Sequence, residues 1–142
     1  MSSISRLNDL RRKGHSACVA CIHPELKLDF ALTGPDEMHS SIDFTDSMCS
    51  FNGHVHGGLL AFVLDEAVTC LLLSRDTYAV TGELKLRYKK PVAPGHTAHI
   101  NVSLVRSCGA LSKVQACVRQ SGEDCVHAQA SMMAEELVQS QG

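Results

Sequence analysis

From Leu59 to Leu73 the chain reads LLAFVLDEAVTCLLL, and only Asp65, Glu66 and Thr69 in that run are strongly polar. A stretch apolar nearly all round predicts a buried helix rather than an amphipathic surface one. On both sides the pattern changes to alternation. Upstream, Glu25 to Thr33 sets Leu26, Leu28, Phe30 and Leu32 against Lys27 and Asp29, which predicts a strand with one buried face. Gly34-Pro35-Asp36 is a turn signal, and Met38 to Phe44 resumes a weaker alternation through Ser40 and Ile42, so the two segments predict a hairpin. The polar, Gly-rich TDSMCSFNGHVHGG reads as a loop that delivers the chain to the helix. Downstream, Tyr78 to Lys89 places Leu84, Leu86 and Tyr88 opposite Glu83, Lys85, Arg87 and Lys89. Three further alternating segments follow, from Ala98 to Leu104, Val114 to Val118 and Val126 to Met132. They are separated by PVAPG, a Ser-Cys-Gly-Ala turn and Ser121-Gly122.

Two strands, one long helix and four strands joined by short connections predict an α+β fold, with one central helix wrapped by a curved antiparallel sheet of five to six strands. The expected organisation is an N-terminal segment over 1–24, a single domain over 25–137 and a polar tail over 138–142. The N-terminal segment should hold a short helix capped by Ser5 and ended by Gly14. One sheet covers only one side of an apolar helix, so the other side calls for a second subunit.

Composition narrows the partners. The 142 residues carry a net charge of −2, with no basic excess to suggest nucleic acid. Neither a signal-peptide pattern nor an apolar run of membrane-spanning length is present, so a cytoplasmic protein without a membrane partner is expected. Seven scattered cysteines fit free thiols better than a disulfide framework. His15, Cys18, Cys21 and His23 lie too close together for the usual pairing of a zinc knuckle with a distant second ligand pair. His54 and His56 form a lone His-x-His, and Cys70 sits in a run of Leu and Val that marks it as core. No metal or other cofactor is expected.

The chemistry of the chain gathers at the helix. Gly57 and Gly58 stand where it begins, so its first free backbone N–H groups face space that no side chain at those positions blocks. Such an end suits a carbonyl oxygen turning into an oxyanion. A carboxylate amid Leu64, Ala67, Val68 and Leu71 needs a reason, and Asp65 is favoured over Glu66, which lies 100° round the helix. Glu66 is kept as a second carboxylate on the substrate side, or as one tied to a strand residue. Asp65 is nine residues after His56, on the opposite side of the helix and about 13 Å along it. A single helix cannot hold one carbonyl between them. Two antiparallel copies across a two-fold axis can, forming two composite sites and making dimerisation a condition of activity. Arg87, Lys89 and Lys90 are candidates for the phosphates of a substrate, or simply a solvated strand face.

The residues GHVHGGLLAFVLDEA followed by AVTGELKLRYKKPVAPG resemble the hotdog-fold thioesterases, in the group similar to the PaaI protein of phenylacetic acid degradation and the small acyl-CoA thioesterases. The resemblance runs from about Glu25 to about Met133. It implies a helix wrapped in an antiparallel sheet, homodimers and often dimers of dimers, and hydrolysis of an acyl-CoA thioester. It also implies Asp65 as general base or nucleophile, Gly57 as backbone donor to the thioester carbonyl with His56 beside it, and Thr81 as the hydroxyl that orients the attacking water. Relatives often carry Asn or Gln six residues before the HGG histidine; this chain has Ser50 there, with Asn52 two residues later as the candidate helper. The alternatives are a non-catalytic acyl-CoA-binding protein of the same fold and a dehydratase using His56 or His54 with the acid.

Overall fold

The computed structural model describes residues 28–134 together with Leu7, Asn8, Cys18, Glu25 and Leu26. In chain order the elements are β1 (Ala31–Gly34), β2 (Glu37–Asp43), a 3-10 turn (Asp46–Met48), β3 (Cys49–Phe51), β4 (His54–Val55), helix α1 (Gly57–Leu73), β5 (Ala79–Tyr88), β6 (Thr97–Cys108), β7 (Leu111–Gln120) and β8 (Glu123–Ala134). Six strands form one antiparallel sheet in the order β1-β2-β6-β7-β8-β5, and β3 pairs with β4 alone. Helix α1 packs across β5, β6, β7 and β8. This is the α+β hotdog arrangement.

Turn chemistry explains the hairpins. Ser121 and Gly122 both have positive φ (53° and 80°) and join β7 to β8 as a type I′ turn, whose twist matches that of the strands. Gly109 (φ 60°) opens the β6–β7 turn. Period-two alternation then sets the faces: Val114, Ala116 and Val118 on β7, and Val126, Ala128, Ala130 and Met132 on β8, are buried beneath the helix. The alanines leave room for the apolar helix to lie close, and Leu60, Val63, Leu64, Ala67, Val68 and Leu71 fill that interface.

Two expectations are corrected. The first strand is Ala31–Gly34, not Glu25–Thr33: Glu25 and Leu26 lie in a turn, Leu28 (0% exposed) and Phe30 (7%) are buried before β1 begins, and Leu32 is 43% exposed. Alternation there reports burial by a chain entering the core, because β1 pairs only with the start of β2, Ala31 opposite His39 and Leu32 opposite Met38. The expected loop before the helix contains the β3–β4 ribbon, turned by Asn52-Gly53 with Gly53 at φ 79°. The four later strands stand where alternation puts them, and β6, β7 and β8 run longer. Of the expected N-terminal helix only Leu7 and Asn8 fall within the described residues, while His15, Cys21, His23 and the 138–142 tail lie outside them.

Candidate active site

His56 caps α1. Its backbone is extended (φ −58°, ψ 127°), and its Nδ1 accepts from Gly58 N–H at 2.9 Å. An accepting Nδ1 puts the ring proton of the neutral imidazole on Nε2. The same residue anchors the helix start: its N–H donates to Met48 O (2.8 Å), and its carbonyl accepts from Leu59 N–H (3.0 Å) and Leu60 N–H (3.1 Å). A Cβ on Gly58 would stand 3.1 Å from His56 Nδ1 and Cε1, so glycine there is what lets the imidazole fold over the helix end. The N–H of Gly58, expected to face substrate, is therefore taken by His56. The N–H of Gly57 has no acceptor among the described residues. It belongs to the peptide whose carbonyl receives two donors, and such polarisation strengthens it as a donor.

Asp65 lies eight residues further on, about 12 Å along the axis. Residues Gly58, Ala61, Phe62, Asp65 and Thr69, at helical spacings of three and four, are exposed or half-exposed, as are Gly57 and Leu59 in the first turn. Asp65 is thus on the uncovered face. Thr81, on β5, donates its hydroxyl to Asp65 Oδ1 at 2.6 Å, a short charge-assisted bond that fixes the carboxylate while Oδ2 stays free among the described residues. Thr69 Oγ1 donates back to the Asp65 carbonyl at 3.0 Å. Glu66 points elsewhere: 8% exposed, it lies 3.3 Å from Cys70 Sγ and 3.8 Å from Cys18 Sγ, so the structure brings it to the core side of α1 rather than to Asp65.

The other candidates divide by place. Asn52 sits exposed at the tip of the β3–β4 turn, with Ser50 in β3. Leu84 and Leu86 pack on the core, so Arg87 faces the outer side of the sheet, away from Asp65. With Lys85, Lys89, His127 and Gln129 it lines a groove of about 480 Å³. Lys90 pairs with Glu123 at 2.8 Å. Among the described residues no three or more His, Cys, Asp or Glu side chains gather as a metal site. Sequence reasoning missed Tyr88, whose hydroxyl donates to Gly57 O at 2.8 Å. Its one signal was a hydroxyl on the inward side of β5, in the row of Leu84 and Leu86.

A family model of the thioesterase superfamily matches residues 52–127, more than half of the chain. No curated protein matches by sequence. Among solved structures the chain is similar to the E. coli PaaI protein from the phenylacetic acid degradation operon, at 13% identity and TM-score 0.79, over 94% of this chain and 96% of that one. It is similar to thioesterase superfamily member 2 of Mus musculus at 13% identity and TM-score 0.72, over 93% of each chain. It also resembles smu.793 of Streptococcus mutans, solved bound to acetyl-CoA, at 19% identity and TM-score 0.71, over 76% of this chain and 88% of that one. At such identities the likeness to solved structures is one of fold. No helix among the described residues is long and apolar enough to cross a membrane.

Proposed function

The chain belongs to the thioesterase superfamily, and from that premise we propose that it is an acyl-CoA thioesterase whose sites form between the subunits of a homodimer. Each site joins Asp65 of one protomer to Gly57 and His56 of the other. The observation that carries this reading is the Asp65 carboxylate, held by Thr81 at 2.6 Å on the helix face that its own sheet leaves uncovered. Two features support the dimer. The uncovered face borders β5, and β5 is one of the two edge strands of the sheet, ten residues long with Val80 45% exposed. An apolar helix face beside an open strand edge is a surface that a second copy can cover in one step.

In this reading the thioester carbonyl accepts from the Gly57 N–H. Water attacks the carbonyl carbon as its proton passes to Asp65 Oδ2, and the oxyanion rests on Gly57. Collapse breaks the C–S bond and releases coenzyme A as its thiol, with the carboxylic acid as the second product. Direct attack by Asp65, through an anhydride that water then opens, uses the same groups. One oxyanion donor is worth roughly 2.7–4 kcal/mol of barrier. Asn52, at the mouth of the loop, assists by hydrogen bonding. Lys89 and Arg87 meet the coenzyme phosphates from the outer side of β5.

The test is thiol release from a panel of short, long and aromatic acyl-CoAs. Wild type turns over at least one of them, and Asp65→Ala abolishes turnover with the dimer intact. Binding without thiol release by wild type overturns hydrolysis in favour of a binding protein, and retention of most activity by Asp65→Ala removes Asp65 from its role.

A further inference from the structure

Glycine has the widest backbone freedom of any residue, and this helix begins with two of them. A donor N–H at such a position acts in a transition state only if something else holds it still. Four polar backbone groups belong to the two peptide planes that meet at the Gly57 Cα, and three of them are bonded. His56 O receives Leu59 and Leu60 N–H, Gly58 N–H is held by His56 Nδ1, and Gly57 O receives the Tyr88 hydroxyl at 2.8 Å. The fourth is the Gly57 N–H. Tyr88 also supplies bulk: a Cβ on Gly57 would stand 3.5 Å from Tyr88 Cε1, so the ring lies against the glycine.

The bond to Tyr88 differs in kind from the other two. Those come from the helix and its own cap, and they move with it. Tyr88 comes from the last residue of β5, 31 positions away, on the same strand whose Thr81 holds Asp65. We propose that Tyr88 is a positioning residue for catalysis, clamping the Gly57 peptide to β5 so that the oxyanion donor keeps a set place relative to that strand, the sheet edge that borders the uncovered helix face. The inference rests on the hydrolase reading, in which Gly57 serves the acyl carbonyl.

Tyr88→Phe keeps the ring and deletes only the hydroxyl. A neutral hydrogen bond of ordinary net strength corresponds to about a three- to tenfold effect. If Tyr88 positions a donor that works in the transition state, kcat falls by about that factor while KM stays within twofold. A merely structural tyrosine would leave kcat alone, or would lower the melting temperature with kcat unchanged, and either result overturns the proposal, as does a rise in KM alone. A second arm needs no turnover. In protein labelled with 15N-glycine, the Gly57 and Gly58 amide signals of Tyr88→Phe shift and show lower order parameters, while the distant Gly122 signal does not move. Unchanged Gly57 and Gly58 signals overturn the clamp. Should wild type hydrolyse no thioester at all, the functional reading fails, and the amide signals still decide whether Tyr88 holds Gly57.

Discussion

At the scale of single residues, the two adjacent acids of α1 have opposite surroundings. Asp65 is half-exposed beside the Thr81 hydroxyl, whereas Glu66 is buried beside the Cys70 and Cys18 thiols. Helical spacing separates them by 100°, and the side that Glu66 takes is the one the fold buries. Thr81→Val should lower kcat about tenfold or more, the usual worth of a hydrogen bond to a charged group, and Glu66→Gln should leave kcat near wild type. Steady-state kinetics on the best acyl-CoA checks both. Cys117 offers a test of stability. Burial raises its thiol pKa, with the Asp124 charge adding to the rise and the Asn101 hydrogen bond opposing it. The folded state then holds the thiol proton more tightly than the unfolded chain, so stability is full below the unfolded pKa and declines as pH rises from about 8.5 toward the folded value. Melting temperatures of Cys117→Ser between pH 7 and 10 should decline less steeply than those of wild type.

At the scale of elements, the start of α1 is a helix terminus specialised by what it lacks. His56 has the extended backbone favoured before proline, and Gly57 is the first helical residue, where proline is best tolerated. Gly57→Pro therefore removes the free N–H with little cost to the helix. The expected result is a folded protein with kcat down about 10²–10³-fold, the usual loss of an oxyanion donor. Circular dichroism alongside turnover checks it, and near-wild-type kcat would remove Gly57 from catalysis. Much of this element was legible in sequence: an apolar run with two glycines at its head states where the helix starts and that its end is open. Tyr88 was not, since a strand pattern reports which face a side chain takes but not which atom it meets 31 residues away. The first strand misled for a related reason. Leu26, Leu28, Phe30 and Leu32 alternate as a strand would, yet the ladder with β2 begins only at Ala31, opposite His39.

At the scale of the whole molecule, the uncovered helix face and the open edge of β5 lie together. The two-fold dimer proposed above would bury both and set each Gly57 level with the other subunit's Asp65. Mixing equal amounts of Asp65→Asn and Gly57→Pro subunits, each inactive alone, should recover about a quarter of wild-type activity, because half of the randomly paired dimers are mixed and each of these has one intact site of two. No recovery after unfolding and joint refolding would argue for sites contained within one chain.

The sequence by itself determined the order of the helix and the four strands after it, the burial of the helix and the turns between those strands, and it favoured Asp65 over Glu66 as the working carboxylate. These depend on periodicity, on glycine and proline stereochemistry and on the 100° step of a helix, all local properties of the chain. Tertiary structure alone decided that Thr81 grips Asp65, that His56 takes the Gly58 N–H and leaves that of Gly57, that Tyr88 pins the same glycine, and that Arg87 looks away from Asp65. Each of these is a contact of a few ångströms, or a choice of sheet face, set by strand register and by where the helix lies on the sheet, and no pattern in a linear chain encodes such distances.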